Sequence, residues 1–320
     1  MKYLLLPFLL CLAGFLSAQD YNALIANAEK HYTDKAYPQS VAEYKAAFKI
    51  EKKDPGDLYN AACSAALSGK KGQALKWLEM AQKNGWANAR HAKSDTDLNA
   101  LHGSKKWTAI VANMQAELDK REANYDKPLQ AELLAILEDD QNIRRQFIEA
   151  EKQYGFKDPR TDSLLQIMIA KDKMNLKKVT AILDQHGWVG PDKVGGQANQ
   201  ALFLVIQHSE LAVQQKYLPM MREAVQMKKA SGSSLALLED RVALGEGRKQ
   251  TYGSQIGFDE SSGKYYVLPL EDPDKVDQRR ASVGLGPLAD YVKRWDLIWD
   301  VEAYKKQLPE IEALQKQGGQ

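Results

Sequence analysis

Two stretches of the chain, AEKHYTDKAYPQSVAEYKAAFKI (residues 28–50) and ACSAALSGKKGQALKWLEMAQKN (residues 62–84), align with each other without a gap. The alignment pairs residues at a constant offset of 34 positions: Ala28 with Ala62, Ser40 with Ala74, Tyr44 with Leu78, and Ala47 with Ala81. The small Ala28 and Ala62 allow two helices to pack closely, Tyr44 and Leu78 fill the space between neighbouring repeats, and each stretch contains a turn, at TDKAYP and at LSGKKG. The pattern therefore predicts helix-turn-helix units that repeat at this offset.

A helix-turn-helix period of this length resembles the tetratricopeptide repeat. The resemblance covers roughly residues 20–118, and HAKSDTDLNALHGSKKWTAIVANM is similar to the helices that close such bacterial arrays. Ser40 departs from the strongest form of the motif, which has Ala at that position. Because tetratricopeptide arrays bind peptides or domains in a concave groove, the resemblance implies a protein or peptide partner on the repeat groove, with a rigid spacer as the alternative.

The first residues, MKYLLLPFLLCLAGFLSAQD, carry one early Lys, a continuous apolar run and then Ser17 and Ala18. This order predicts a secretory signal peptide over residues 1–18, cleaved near Ala18 or Gln19. A membrane anchor is the alternative, but the run is shorter than the roughly 20 apolar residues that a spanning helix needs. We therefore predict export to the periplasm or outside the cell, with no transmembrane segment after cleavage.

Composition excludes several classes of function. The formal net charge is +2, from 44 basic and 42 acidic residues, and it predicts no nucleic-acid-binding face. Cleavage leaves Cys63 as the only cysteine, so no intramolecular disulfide is expected. The histidines lack metal-ligand spacing, and no phosphate-binding loop is present, so we expect no metal and no cofactor.

A second helical region follows the charged stretch DKREANYDKP. Within it, KQTYGSQIGF and KYYVLPL carry aromatic and β-branched residues on either side of the turn-rich DESSG, which predicts a β-hairpin. The predicted fold class is mainly α: a short tetratricopeptide-type α-solenoid followed by a helical domain with one β-hairpin. The predicted boundaries are signal peptide 1–18, repeats with capping helices 19–118, linker 119–128, helical domain 129–300 with hairpin 249–269, and C-terminal helix and tail 301–320.

Six short motifs in the second region carry a further resemblance: DQNIRR, HGW, QHSE, LEDRV, QTYGSQ and DPDKVDQRR, the last followed by GL. In this order they are similar to an exported bacterial domain family of unknown function, over roughly residues 129–295. The resemblance brings no established activity, and it therefore implies no catalytic residue.

Polar residues in or near these motifs are the candidates for a site. His208 ends an apolar helix, where it could cap the helix or act as a general base. Asp240 lies between apolar stripes of a buried helix and needs a partner, for which an arginine is the structural expectation. The catalytic candidates are His208 and Asp240. The ligand-binding candidates are Asp140, Arg144, Arg241, Tyr252, Gln255 and Arg280.

Two functions remain open from the sequence. The first is an exported protein-interaction scaffold built on the repeat array, with a C-terminal domain of unknown activity. The alternative is an enzyme or small-ligand-binding protein with a polar pocket around His208, Asp240 and Arg280. The second function requires these side chains to converge in one cavity, whereas a scaffold places them in separate structural contacts.

Overall fold

The structure is a computed structural model that describes residues 8–50, 54–259 and 262–318. It confirms the predicted mainly α class, and the chain divides into two compact units, Met1–Ala123 and Asn124–Gln320. Residues 1–7 of the predicted signal peptide lie outside the described residues. Within the described part of the chain, none of the helices combines the length and the hydropathy that crossing a membrane requires.

The first unit consists of helices that pack in consecutive pairs joined by short turns. They are α1 (Phe8–Thr33), α2 (Tyr37–Ile50), α3 (Pro55–Leu67), α4 (Lys71–Lys83), α5 (Ala89–Ser94) and α6 (Lys105–Glu122), with a 3₁₀ helix at Thr96–Leu101 between the last two. The eight residues that the sequence alignment pairs are all buried, each at most 1% exposed. The positions that the alignment equates therefore share an environment in the fold.

The turns inside the first two helix pairs have the same backbone geometry. Lys35 has a φ of 57° and Gly69 has a φ of 76°, both in the left-handed region. In the first turn the N–H of Ala36 donates to the carbonyl of His31 over 2.8 Å, and in the second the N–H of Lys70 donates over the same distance to the carbonyl of Ala65. The corresponding residues of the two turns are separated by the same 34 positions as the repeat found in the sequence.

The second unit begins with helices that form its main core. The helices and strands of this unit are α7 (Lys127–Tyr154), α8 (Pro159–His186), α9 (Pro191–Val194), α10 (Gly196–Gln207), α11 (Leu211–Gln226), α12 (Gly232–Gly245), β1 (Ile256–Asp259), β2 (Lys264–Val267), α13 (Val276–Ser282), α14 (Leu288–Val292) and α15 (Val301–Gly318). Gly155 and Gly187 end α7 and α8 with positive φ, a backbone conformation that favours glycine. The predicted linker 119–128 is largely helical, since only 123–126 lie between α6 and α7.

The predicted hairpin is present, but its first strand is shorter than expected. β1 and β2 pair antiparallel, with Ile256 opposite Val267. The preceding segment 250–255 was expected to extend this strand and instead forms a loop, in which Gln250 makes a single backbone bridge to Leu270 and side chains bind other backbone groups. On the other side the hydroxyl of Tyr304 in α15 donates to the carbonyl of Leu268. The hairpin is therefore held at its base from both sides.

Candidate functional site

A pocket of about 510 Å³ lies in the first unit. Its walls carry three tyrosines, three carboxylates and one imidazole: Tyr32, Tyr44, Tyr59, Glu29, Asp95, Asp97 and His91, together with Asn60, Cys63, Ser94 and Thr96. Within this wall, His91 and Asp95 form an ion pair when the imidazole is protonated, with their atoms 3.7 Å apart. The pocket is therefore acidic and aromatic.

Hydrogen bonds hold the walls of this pocket in place. The hydroxyl of Tyr32 donates to Asp97 over 2.5 Å, and the hydroxyl of Tyr59 donates to Asp95 over 2.7 Å. The Tyr59 ring also stacks on Trp86, with ring centroids 3.9 Å apart. These contacts join α1, α3 and the 3₁₀ helix, so the carboxylates have a fixed position before any ligand binds.

The protons of the pocket stay on its tyrosines and its cysteine. The hydrogen bond to Asp97, followed by burial, raises the pKa of Tyr32, whereas burial first and then Asp95 raise the pKa of Tyr59. Burial, followed by the charges of Asp95 and Asp97, likewise raises the pKa of the Cys63 thiol. Negative charge in the pocket therefore comes from the carboxylates and not from phenolate or thiolate groups.

Cys63, Asp95 and Asp97 also have potential ligand atoms within 4.8 Å of one another. From the sequence no metal site was expected, and these three residues have no ligand spacing that singles them out. Its hydrogen bonds account for the arrangement: the thiol of Cys63 lies 3.6 Å from Asp95, and the backbone N–H of Asp97 donates to the same carboxylate. The trio is thus part of the wall of the pocket.

In the second unit, the imidazole of His208 joins an ionic cluster, and this differs from the helix-capping role that was the structural expectation. Its Nδ1 lies 3.0 Å from the Asp140 carboxylate and 3.0 Å from Nε of Arg144. Arg144 binds both oxygens of Asp172 through Nη2, over 2.9 and 3.0 Å. The cluster connects α7, α8 and the end of α10.

The cavity beside His208 is small. Its volume is about 80 Å³, whereas ligand pockets commonly measure about 300–1,000 Å³. Burial acts to raise the pKa of the Asp140 carboxyl, but the hydrogen bond and charge of His208, with Gln141 and Arg144, hold that pKa below its ordinary value. The geometry is that of a structural ion network linking three helices.

Asp240 is fully buried, and its partners are backbone groups. Its carboxylate accepts the N–H groups of Thr251 over 2.6 Å, Tyr252 over 2.9 Å and Ser254 over 2.9 Å. Burial raises the pKa of this carboxyl, and the three N–H groups act in the opposite direction. The expected pair between Asp240 and an arginine, including Arg280, is wrong, because the backbone already supplies its donors.

Gln250 fixes the same loop from inside. Its side-chain oxygen accepts the N–H of Gln255 over 2.8 Å. Its side-chain nitrogen donates to the carbonyls of Gln255 and Leu268, over 3.0 and 2.9 Å. Gln250 is fully buried, and it is not among the ligand-binding candidates predicted from the sequence. The side chain of Gln250 therefore adds to the backbone bridge that the same residue makes with Leu270.

Two arginines bind the carbonyl groups of this loop. Arg279 donates from Nε to the carbonyl of Thr251 over 2.8 Å. Arg280, which is only 1% exposed, donates from Nη1 to the carbonyl of Tyr252 over 2.7 Å and from Nε to that of Gly286 over 2.6 Å. Asp240 therefore binds N–H groups of the loop, and Arg279 and Arg280 bind its carbonyl groups.

The remaining candidates lie at separate places. Arg241 donates to the backbone carbonyl of Gln207 over 3.1 Å, and the side chain of Gln255 donates to the hydroxyl of Ser254 over 2.9 Å. Tyr252 is half-buried.

The predicted convergence of the candidates in one cavity is not found. His208 lines the small cavity described above, Arg280 lines a separate cavity of about 500 Å³, and the loop backbone encloses Asp240.

Residues 127–305 match a protein family of unknown function, DUF6624. The chain belongs to this family. No curated protein and no solved structure matches the chain significantly. The match confirms the resemblance of the second region to a domain family of unknown function, and it begins at the first residue of α7.

The DUF6624 match contains the loop 250–255, the His208 cluster and the cavity that Arg280 lines, whereas the acidic pocket lies outside the match. Sequence reasoning missed that pocket because its residues come from several helices. The spacing of Asp95 and Asp97 was the one signal in the sequence, and two nearby carboxylates are common on protein surfaces.

Proposed function

We propose that the protein is an exported interaction scaffold. Its first unit binds a partner segment by accepting a cationic side chain of that partner. The first unit is, in this proposal, a short tetratricopeptide-type array. The recurrence of buried positions and of turn geometry at the offset of the sequence repeat supports that assignment. The DUF6624 domain then follows the array on the same chain.

The acidic and aromatic pocket is the observation that carries this proposal. Glu29, Asp95 and Asp97 line it together with three tyrosines, and the basic side chain of its wall is the imidazole of His91. A lysine or arginine side chain that entered would meet carboxylates and ring faces. A contact between a cation and an aromatic ring contributes about 0.5–1 kcal/mol when exposed and about 2 kcal/mol when desolvated.

The rigidity of the pocket also favours binding. Tyr32 and Tyr59 hold Asp97 and Asp95 through their hydroxyl groups, and Trp86 supports the Tyr59 ring from behind. Binding a partner therefore orders few of these side chains, which lowers the entropic cost of association. The volume of about 510 Å³ accommodates a long side chain with part of its backbone.

Export is the second part of the proposal, and the order of charged, apolar and small residues at the start of the chain supports it. Expressed in its native host, the protein is expected outside the cytoplasm without residues 1–18. N-terminal sequencing of the fractionated protein tests this expectation. Recovery of the intact N-terminus from the cytoplasm would contradict it.

A direct binding measurement tests the pocket. The full chain is titrated against a fluorescein-labelled peptide that contains lysines, and against the same peptide with glutamine at each lysine position. We expect binding of the lysine peptide by anisotropy, weakening as salt increases because exposed charges are screened. Asp97→Asn removes one charge from the pocket and should weaken binding several-fold.

The matched control is Asp119→Asn, which removes an exposed charge from α6 of the same unit. Its affinity for the lysine peptide should equal that of the unsubstituted chain. Equal binding of the lysine and glutamine peptides, or equal loss in the two variants, would reject the pocket as the binding site. Circular dichroism of both variants checks that the helices remain folded.

A further inference from the structure

The cavity that Arg280 lines in the second unit has the size and the walls of a small-molecule site. Its volume is about 500 Å³, within the range of about 300–1,000 Å³ that ligand pockets occupy. Phe203 and Leu204 of α10, Leu237 of α12 and Leu285 provide apolar surface. Polar groups converge on the same space from three directions.

Two arginine side chains lie close to the ring of Tyr291 at one side of this cavity. The guanidinium carbon of Arg280 lies 4.9 Å from the Tyr291 ring centroid, and that of Arg294 lies 5.2 Å from it. Both arginines line the cavity, and neither forms an ion pair within 4.0 Å with another described residue. Asp290 also lines it, but its carboxylate pairs with Lys293 over 2.7 Å.

The charge of Arg280 is unusual because the residue is only 1% exposed. Its hydrogen bonds go to the neutral carbonyls of Tyr252 and Gly286. The carboxylates of Asp277 and Asp240 act on this charge without pairing with it, and an anion brought into the cavity would offset more of the cost of its burial. Because Nε and Nη1 of Arg280 already bind carbonyls, paired binding of carboxylate or phosphate oxygens falls to the exposed Arg294, whose planar group is suited to it.

Gln207 provides an independent observation at the same cavity. The residue lines the cavity and is 9% exposed, and its side-chain oxygen has no hydrogen-bond partner among the described residues. Buried polar atoms nearly always have a partner, so this acceptor is open to a donor group. A hydroxyl or amino group on a bound molecule would supply it.

The start of α12 adds a third contribution. Ser233 and Ser234, in the first turn of this 14-residue helix, line the cavity, and no side chain caps the helix at Ser231. The first N–H groups of a helix have no partner within it and favour anions. This helix start reinforces the two arginines and the glutamine.

We infer that this cavity binds a small organic anion, a carboxylate or a phosphate ester, that also carries a hydroxyl or amino group. Arg280 and Arg294 hold the anionic group, and the side-chain oxygen of Gln207 accepts the hydrogen bond from the donor. Because the site lies in the DUF6624 domain, it is independent of the pocket proposed for the partner segment.

Isothermal titration of the full chain tests this inference with three probes. Glycerol 3-phosphate and glycerate carry an anion and hydroxyl groups, and glycerol lacks the anion. We expect saturable binding of at least one of the two anions, with a dissociation constant below about 1 mM, and no binding of glycerol. Arg294→Gln, at an exposed side chain whose loss spares the core, should weaken the anion about tenfold or more.

The matched control is Arg145→Gln, which removes an exposed arginine of α7 that pairs with Glu138. It should bind the anion like the unsubstituted chain. Gln207→Met removes the acceptor and should weaken binding several-fold. The inference is overturned if neither anion binds, if glycerol binds equally well, or if Arg294→Gln and Arg145→Gln have the same affinity. An unchanged affinity in Gln207→Met would overturn the assigned role of the donor group.

Discussion

Lys35 and Gly69 occupy equivalent turns of the repeat, and both have left-handed backbone conformations, with φ of 57° and 76°. Glycine adopts this conformation without steric cost, whereas a residue with a Cβ atom is strained in it. One turn of the pair is therefore relaxed and the other is strained. A Cβ atom at Gly69 would meet no atom within 4 Å, so the difference between the turns comes from the backbone and not from crowding.

Lys35→Gly should stabilise the first unit. Relief of the left-handed lysine is worth about 1–2 kcal/mol, and the greater freedom of glycine in the unfolded chain offsets about 0.4–1 kcal/mol of this gain. Urea unfolding followed by circular dichroism measures the balance. The reciprocal change, Gly69→Lys, should destabilise the same unit. Opposite signs in the two variants are required, and a loss of stability in Lys35→Gly would refute the equivalence of the turns.

Ala62→Leu should destabilise the first unit because the position is fully buried between packed helices. Extra methylene groups in a filled core cost about 1–3 kcal/mol. Ala112→Leu makes the same change at an exposed position of α6 and should have little effect. The free energy of unfolding of both variants is measured in urea. Equal stability of the two variants would mean that the register of the repeat is wrong.

Asp240→Asn should loosen the loop that precedes the hairpin. The substituted amide offers one acceptor oxygen and brings an N–H group against backbone donors that now bind a carboxylate. Loss of hydrogen bonds to a charged group costs about 1.5–3 kcal/mol. Hydrogen exchange at 251–254 should accelerate together with this loss. Asp162→Asn, at an exposed position of α8, serves as the control, and a similar small effect of both changes would show that Asp240 does not hold the loop in place.

Asp140→Asn should lower stability at neutral pH, and the effect should diminish as the pH falls below the ordinary pKa of the carboxyl. The ordinary pKa of the carboxyl is 3.8, and in the folded protein it lies lower because His208, Gln141 and Arg144 favour the charged form against the effect of burial. A depressed pKa contributes stability above the unfolded value, which is lost as pH falls through the folded value.

Urea unfolding from pH 7 down to pH 3 should therefore narrow the difference in stability between the unsubstituted chain and Asp140→Asn. Glu138→Gln, an exposed carboxylate on the same helix, should change stability by no more than about 0.5 kcal/mol. A difference between the chain and Asp140→Asn that is independent of pH would contradict the ionic account of the His208 cluster.

The repeat and the helix ends could be predicted from the sequence because both depend on local chemistry. Ala28 and Ala62 are small for close packing, and Gly155 and Gly187 end helices through a conformation that favours glycine. The hairpin followed in the same way from aromatic and β-branched residues around a turn. In each case the physical cause acts within a few residues of the signal.

The sites could not be predicted in the same way because their contacts join distant parts of the chain. Tyr32 and Asp97 are 65 residues apart and meet at the acidic pocket. Asp240 was recognised as a carboxylate in need of a partner, but its donors are backbone N–H groups, which every residue except proline has. The arginine expectation failed for that reason.

The burial of Cys63 has a consequence for following the protein in solution. Only thiolate reacts with iodoacetamide, and the raised pKa and 4% exposure of this thiol protect it while the first unit is closed. The chain has two cysteines, and the other, Cys11, falls within the predicted signal peptide. In the processed chain, the alkylation rate of one sulfur atom therefore reports how often the first unit opens, separately from the opening of the second.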